Sequence, residues 1–79
     1  MKVPRDVDAS ELIKLLERHG YIVIRQTGSH IRLSKIIDDG EHAITVPNHK
    51  PVKIGTLQNI MKDFCAVNRL DINEIYRQL

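Results

Sequence analysis

The chain has 79 residues, with 12 Lys and Arg against 10 Asp and Glu, a net charge of +2 and a single cysteine. That length suits one domain (residues 1–79) around one small core, and the lone Cys65 excludes an internal disulfide and points to a reducing compartment. The opening Met1-Lys2-Val3-Pro4-Arg5-Asp6 turns polar at once and no apolar run reaches membrane length, so neither a signal peptide nor a membrane partner is expected, and the expected location is the cytoplasm.

Asp8-Ala9-Ser10-Glu11 reads as a capping box, and Leu12, Leu15, Leu16 and His19 follow at helical spacing up to Gly20, a natural stop. This predicts a first helix over residues 9–19. The β-branched and aromatic run Tyr21-Ile22-Val23-Ile24-Arg25-Gln26 predicts strand one, and Thr27-Gly28-Ser29 a turn. Strand two is expected from His30 to about residue 36. Asp39-Gly40 is a two-residue hairpin signal leading into strand three, from Glu41 to Val46 before Pro47. Asn48-His49-Lys50-Pro51-Val52-Lys53 reads as a polar loop without regular period. A second helix is expected from Thr56, with Leu57, Ile60, Met61 and Phe64 on one face. A second capping box, Asp71-Ile72-Asn73-Glu74, opens a short last helix carrying Ile72, Ile75, Tyr76 and Leu79. The order is α-β-β-β-α-α, an α+β fold with a three-stranded antiparallel meander and its helices on one face.

Alternation in strand two decides what points where. Ile31 and Leu33 fall on one face, and His30, Arg32 and Ser34 on the other. The apolar pair must meet the helices, so His30 and Arg32 project from an open face, which antiparallel sheets tolerate. Charge is segregated as well. No acid occurs from Arg25 to Lys35, or from His42 to Lys62, where Lys50, Lys53 and Lys62 are the only charged residues. Such segregation gives a basic face suited to phosphate on a nearly neutral chain.

His30, directly after Gly28-Ser29 and flanked by Arg25 and Arg32, is the candidate for chemistry. An unperturbed imidazole exchanges protons near neutrality, and arginines beside it favour phosphate. RNA is the substrate for which one histidine suffices, because the 2′-hydroxyl is a built-in nucleophile. The protein need only move protons and stabilise charge, and a lone histidine implies a slow nuclease. Lys50 and Lys53, just before the second helix, are candidate phosphate contacts. His19 at a helix end fits a dipole role, and His42 beside the hairpin reads as structural. Cys65 reads as a core residue, and the scattered histidines have no metal-ligand spacing, so neither metal nor cofactor is expected.

Ser10-Glu11-Leu12-Ile13-Lys14-Leu15-Leu16-Glu17-Arg18-His19-Gly20-Tyr21, then Arg25-Gln26-Thr27-Gly28-Ser29-His30, then Thr45-Val46-Pro47-Asn48-His49-Lys50 with Gly55-Thr56-Leu57-Gln58-Asn59-Ile60-Met61-Lys62 resemble the successive motifs of the HicA-type (YcfA-like) toxins. The likeness covers residues 9–64 in three separated motifs. It implies a double-stranded-RNA-binding-like fold and an mRNA endonuclease toxin of a type II toxin–antitoxin pair, active without metal. His30 would be its catalytic histidine, bound and masked by a HicB-type antitoxin. Apart from the resemblance, the turn and the charge pattern described above make Arg25, Gly28, Ser29, Arg32, Lys50 and Lys53 the expected RNA contacts. Two departures stand out: no glycine closes the second helix around Phe64-Cys65-Ala66, and the tail 68–79 exceeds the shortest members; antitoxin binding and core closure are both open to it, and closure accounts better for Ile72, Ile75 and Leu79.

The alternative from another class is a non-catalytic RNA-binding module in which His30 only contacts the ribose–phosphate backbone. A DNA-binding helix-turn-helix built from the last two helices is weaker, because its would-be recognition helix sets Asp71 and Glu74 against Arg77 alone.

Overall fold

Leu12, Leu15 and Leu16 recur at the spacing that stacks side chains on one side of a helix, and α1 (Ala9–Arg18) buries all three. The computed structural model describes residues 3–79; Met1 and Lys2, the first two residues of the segment read for a signal peptide, lie outside the described residues. Asp8 occupies the N-cap of α1 as the capping box requires, but its side chain caps nothing. Its carbonyl instead accepts from Glu11 N–H and Leu12 N–H at 3.0 and 3.2 Å.

Three strands follow: β1 (Ile22–Thr27), β2 (His30–Ile37) and β3 (Gly40–Pro47), antiparallel in the order β1-β2-β3. Tyr21, expected in strand one, lies just before it and is buried. Gly28-Ser29 is the whole β1–β2 turn, with Gly28 at φ 55°, as a tight hairpin with glycine at its first position needs. The second hairpin differs by one residue from the sequence expectation. Its turn is Asp38-Asp39, and Gly40 opens β3 while carrying the positive φ of 126° that the two aspartates avoid.

Ile31, Leu33, Ile44 and Val46 are buried on the sheet face that meets the helices. α2 (Ile54–Asn68) supplies Leu57, Ile60, Met61, Phe64 and Cys65 to the same core. It begins at Ile54, two residues before the expected Thr56, because Gly55 is no breaker in a first turn whose N–H groups lack helical partners anyway. Where the glycine is missing from its C-terminal half, α2 runs on to Asn68. It ends on Arg69 in the left-handed region (φ 56°), with Leu70 N–H donating to the Cys65 carbonyl at 2.9 Å. Asp71 then caps α3 (Ile72–Tyr76) through Asn73 N–H, and Ile75 and Tyr76 are buried, so the tail closes the core. This is the α+β, double-stranded-RNA-binding-like order with a short extra helix.

Candidate functional site

With the helices on one side, the cross-strand register lays out the open face as rows. Thr27, His30 and Pro47 form the row nearest the β1–β2 turn. Arg25, Arg32 and Thr45 form the next, and Ile22, Ser34 and Ala43 the third; Ile36 and Glu41 follow. The turn end of this face is cationic and polar, and the far end carries the exposed isoleucines with Glu41 at its margin.

His30 is exposed, and its ring has no hydrogen-bond partner among the described residues. Arg25 and Arg32 stand directly opposite each other in the neighbouring row. Like charges facing across a strand pair are unfavourable unless an anion lies between them. Arg32 donates to Thr45 Oγ1 at 3.2 Å, yet neither arginine has a carboxylate partner, since the ion pairs among the described residues are His42–Asp63 and Arg77–Glu74. Ser34 lies on the open face as alternation requires, yet it is buried (5% exposed), because its small side chain sits in a shallow groove of about 350 Å³ whose lining includes Ile22, Ile24 and Ile36.

The loop 48–53 is fixed by backbone bonds that its composition does not announce. Asn48 N–H donates to the Ser29 carbonyl at 2.6 Å, Ala9 N–H to the His49 carbonyl at 3.1 Å, and Val52 N–H to the Val7 carbonyl at 2.8 Å. The first of these ties the loop to the turn that precedes His30. Lys50 and His49 are therefore exposed on a loop bonded to the Gly28-Ser29 turn. Lys53 is also exposed, as the N-cap of α2, whose first turn holds no acid; no hydrogen bond or ion pair joins it to His30 or the arginines. The sequence gives His49 no role beyond its place in the polar loop. Its only local signal is that it is a histidine two residues past the end of β3.

The other histidines are engaged. His42 Nδ1 lies 2.6 Å from Tyr21 Oη and its Nε2 3.0 Å from Asp63 Oδ2, so the tautomer protonated at Nε2 satisfies both contacts. Tyr21 Oη accepts from Asn68 Nδ2 at 2.9 Å, and Asn68 Oδ1 accepts from Lys35 Nζ at 2.5 Å. Burial raises the Tyr21 hydroxyl above its ordinary 10.0, Asn68 pulls it back and Asp63 adds to the rise. His19 packs edge-on against Phe64, centroids 5.2 Å apart. Burial first, then Lys35 and Arg18, hold its pKa below the ordinary 6.5, which works against the charged form that the expected dipole role needs. Burial, with Asp71, pushes the Cys65 thiol up and keeps it protonated in the core. Among the described residues no three His, Cys, Asp or Glu side chains gather into a possible metal site, and no helix is long and apolar enough to cross a membrane.

The model of the HicA toxin of bacterial toxin–antitoxin systems matches residues 9–64. This chain belongs to the HicA toxin family. Membership makes it the toxin of a toxin–antitoxin pair, with an antitoxin as partner. Neither curated proteins nor solved structures gave a match. The matched segment of this HicA toxin spans α1, the three strands and most of α2, and so contains every candidate residue from Arg25 to Lys53.

Proposed function

We propose that this HicA toxin is an endoribonuclease that cleaves mRNA in the cytoplasm through His30, the whole chain acting as one domain. The observation that carries the reading is an exposed imidazole without a protein partner, one row from two arginines without a carboxylate. His30 accepts the proton of an RNA 2′-hydroxyl as its oxygen attacks the adjacent phosphorus. The bond from phosphorus to the 5′ oxygen breaks, leaving a 2′,3′-cyclic phosphate and a 5′-hydroxyl. Arg25 and Arg32 hold the phosphate and stabilise the charge that builds on it, which preorganised cations do well. Gly28 and Ser29 keep the turn small enough for the backbone to approach the strand being cut, while Lys50 and Lys53 hold flanking phosphates. The departing oxygen needs a proton, and His49 is the candidate for that acid, with water as the slower substitute. This chemistry calls for no metal, since the nucleophile belongs to the substrate. The HicB-type antitoxin silences the toxin by covering His30.

Purified toxin should cut RNA in the presence of chelator. His30→Ala should lower the rate about 100-fold or more while leaving RNA affinity within about threefold, the range expected for losing one general base. A bell-shaped pH–rate profile that loses one limb in His49→Ala would assign the acid. Parent protein that binds RNA without cutting it would make this a non-catalytic RNA-binding module instead.

A further inference from the structure

β1 is the edge of the sheet, and its substantial contacts are all with β2. All six of its residues are exposed, including Ile22 at 63%, Val23 at 44% and Ile24 at 50%. Ile36, beside them on the open face, is 78% exposed. A bare edge presents unpaired N–H and C=O groups to any incoming strand, and proteins usually blunt such edges with lysine, proline or inward-pointing charge. Residues 22–24 carry none of these, and the only blunting device is the irregularity in register between Val23 and Arg25.

We propose that β1 is the docking edge for a strand of the antitoxin, added antiparallel as a fourth strand of the sheet. Its apolar side chains cover Ile22, Ile24 and Ile36, and its carboxylates reach Arg25 and Arg32. The inference rests on the toxin reading above for the partner's identity, and takes the partner's chemistry from the edge itself. β1 is apolar in its first half, Ile22-Val23-Ile24, and polar in its second, Arg25-Gln26-Thr27. A second copy of this chain is a poor complement. Antiparallel self-pairing centred on Ile24 would set Ile22 against Gln26 and Val23 against Arg25; centred on Val23 it would match Ile22 with Ile24 but bring no carboxylate to Arg25 or Arg32; and parallel self-pairing would set Arg25 against Arg25. RNA is no better, because phosphate gains nothing from three exposed isoleucines. A heterologous strand with acids in one half and branched apolar residues in the other satisfies both halves, and it supplies the carboxylates that Arg25 and Arg32 lack. Docking there takes from the RNA the two arginines that hold its phosphate, so the antitoxin inhibits by competing for them as well as by covering His30.

The test uses the full chain and a short synthetic strand with glutamates in its N-terminal half and valines in its C-terminal half. Antiparallel pairing then sets valine against residues 22–24 and glutamate against residues 25–27. Amide hydrogen exchange should slow in β1 on titration with this peptide. A control with the halves exchanged, and the Ile24→Lys toxin with the original peptide, should each bind about tenfold more weakly. Equal binding of both peptides, no protection of β1, or β1 already protected in a self-associated toxin would each overturn the proposal. No RNA enters the measurement, so a toxin that fails to cut RNA refutes the nuclease reading alone, and unprotected β1 in an RNA-cutting toxin refutes the docking edge alone.

Discussion

His30 and His42 occupy the same β-hairpin and differ in everything but chemistry. His42 points to the helix side, where Tyr21 and Asp63 take both ring nitrogens and Asn68 extends the chain of bonds to Lys35. His30 points to the open side with both nitrogens free among the described residues. A histidine with both nitrogens committed is a structural tie between β3, α2 and the residue before β1, because moving a proton there would cost existing bonds. A histidine with neither committed adds little to the fold and can take and return protons. Partner count therefore separates the structural imidazole from the candidate catalytic one.

The comparison predicts opposite outcomes for paired substitutions. His42→Ala should destabilise the toxin by about 2–3 kcal/mol, because it leaves the buried Tyr21 hydroxyl short of a partner and removes the edge-on contact of the two rings. His30→Ala should change stability by less than about 0.5 kcal/mol, as for other surface substitutions. Urea unfolding of both variants checks this, and equal losses would erase the distinction. Tyr21→Phe should cost about 1–2 kcal/mol, since it keeps the ring and strips only the acceptor for Asn68 and the donor for His42.

Arg25→Gln and Arg32→Gln sharpen the other half of the comparison. Each should relieve a like-charge pair and so raise stability by a few tenths of a kcal/mol. Each should also weaken RNA binding and flatten its salt dependence by about 0.7 in log–log slope, one phosphate contact on a single strand. Filter binding across a salt series reads the slope, and an unchanged slope would remove the arginine from the RNA interface.

The smallest effect belongs to His19. Its pKa is held down in the folded toxin, so the unfolded chain binds more protons between that lowered value and 6.5. Stability should therefore fall as pH drops below 6.5, and His19→Gln should remove that component of the slope in unfolding curves taken across the range. A steeper fall in the variant would contradict the assignment.

How much of this the sequence disclosed depends on the range of the interaction. Period-two alternation exposed the split between Ile31 with Leu33 and His30 with Arg32, because it is a local consequence of strand geometry. The capping chemistry of Asp71 and the tight turn at Gly28-Ser29 are local in the same sense. The bonds around His42 are not: Tyr21, Asp63 and Asn68 come from distant parts of the chain, and no spacing rule unites them. Alternation puts Ser34 on its face but is silent on its burial, because that depends on Ile22 and Ile24 arriving from another strand. The loop 48–53 shows no regular period in the sequence because its order comes from backbone bonds to Ser29, Ala9 and Val7, which side-chain identity does not encode. Family membership covers the residues of the site without deciding their roles, so those roles rest on the geometry and on the assays above.

The most direct test compares RNA cleavage per folded molecule, in chelator, for the parent, His30→Ala and His42→Ala toxins at a temperature where all three are folded. His30→Ala should lose about 100-fold or more of the rate, while His42→Ala should stay within about threefold of the parent. Cleavage that survives in His30→Ala, or is lost equally in His42→Ala, would contradict the assignment of catalysis to His30.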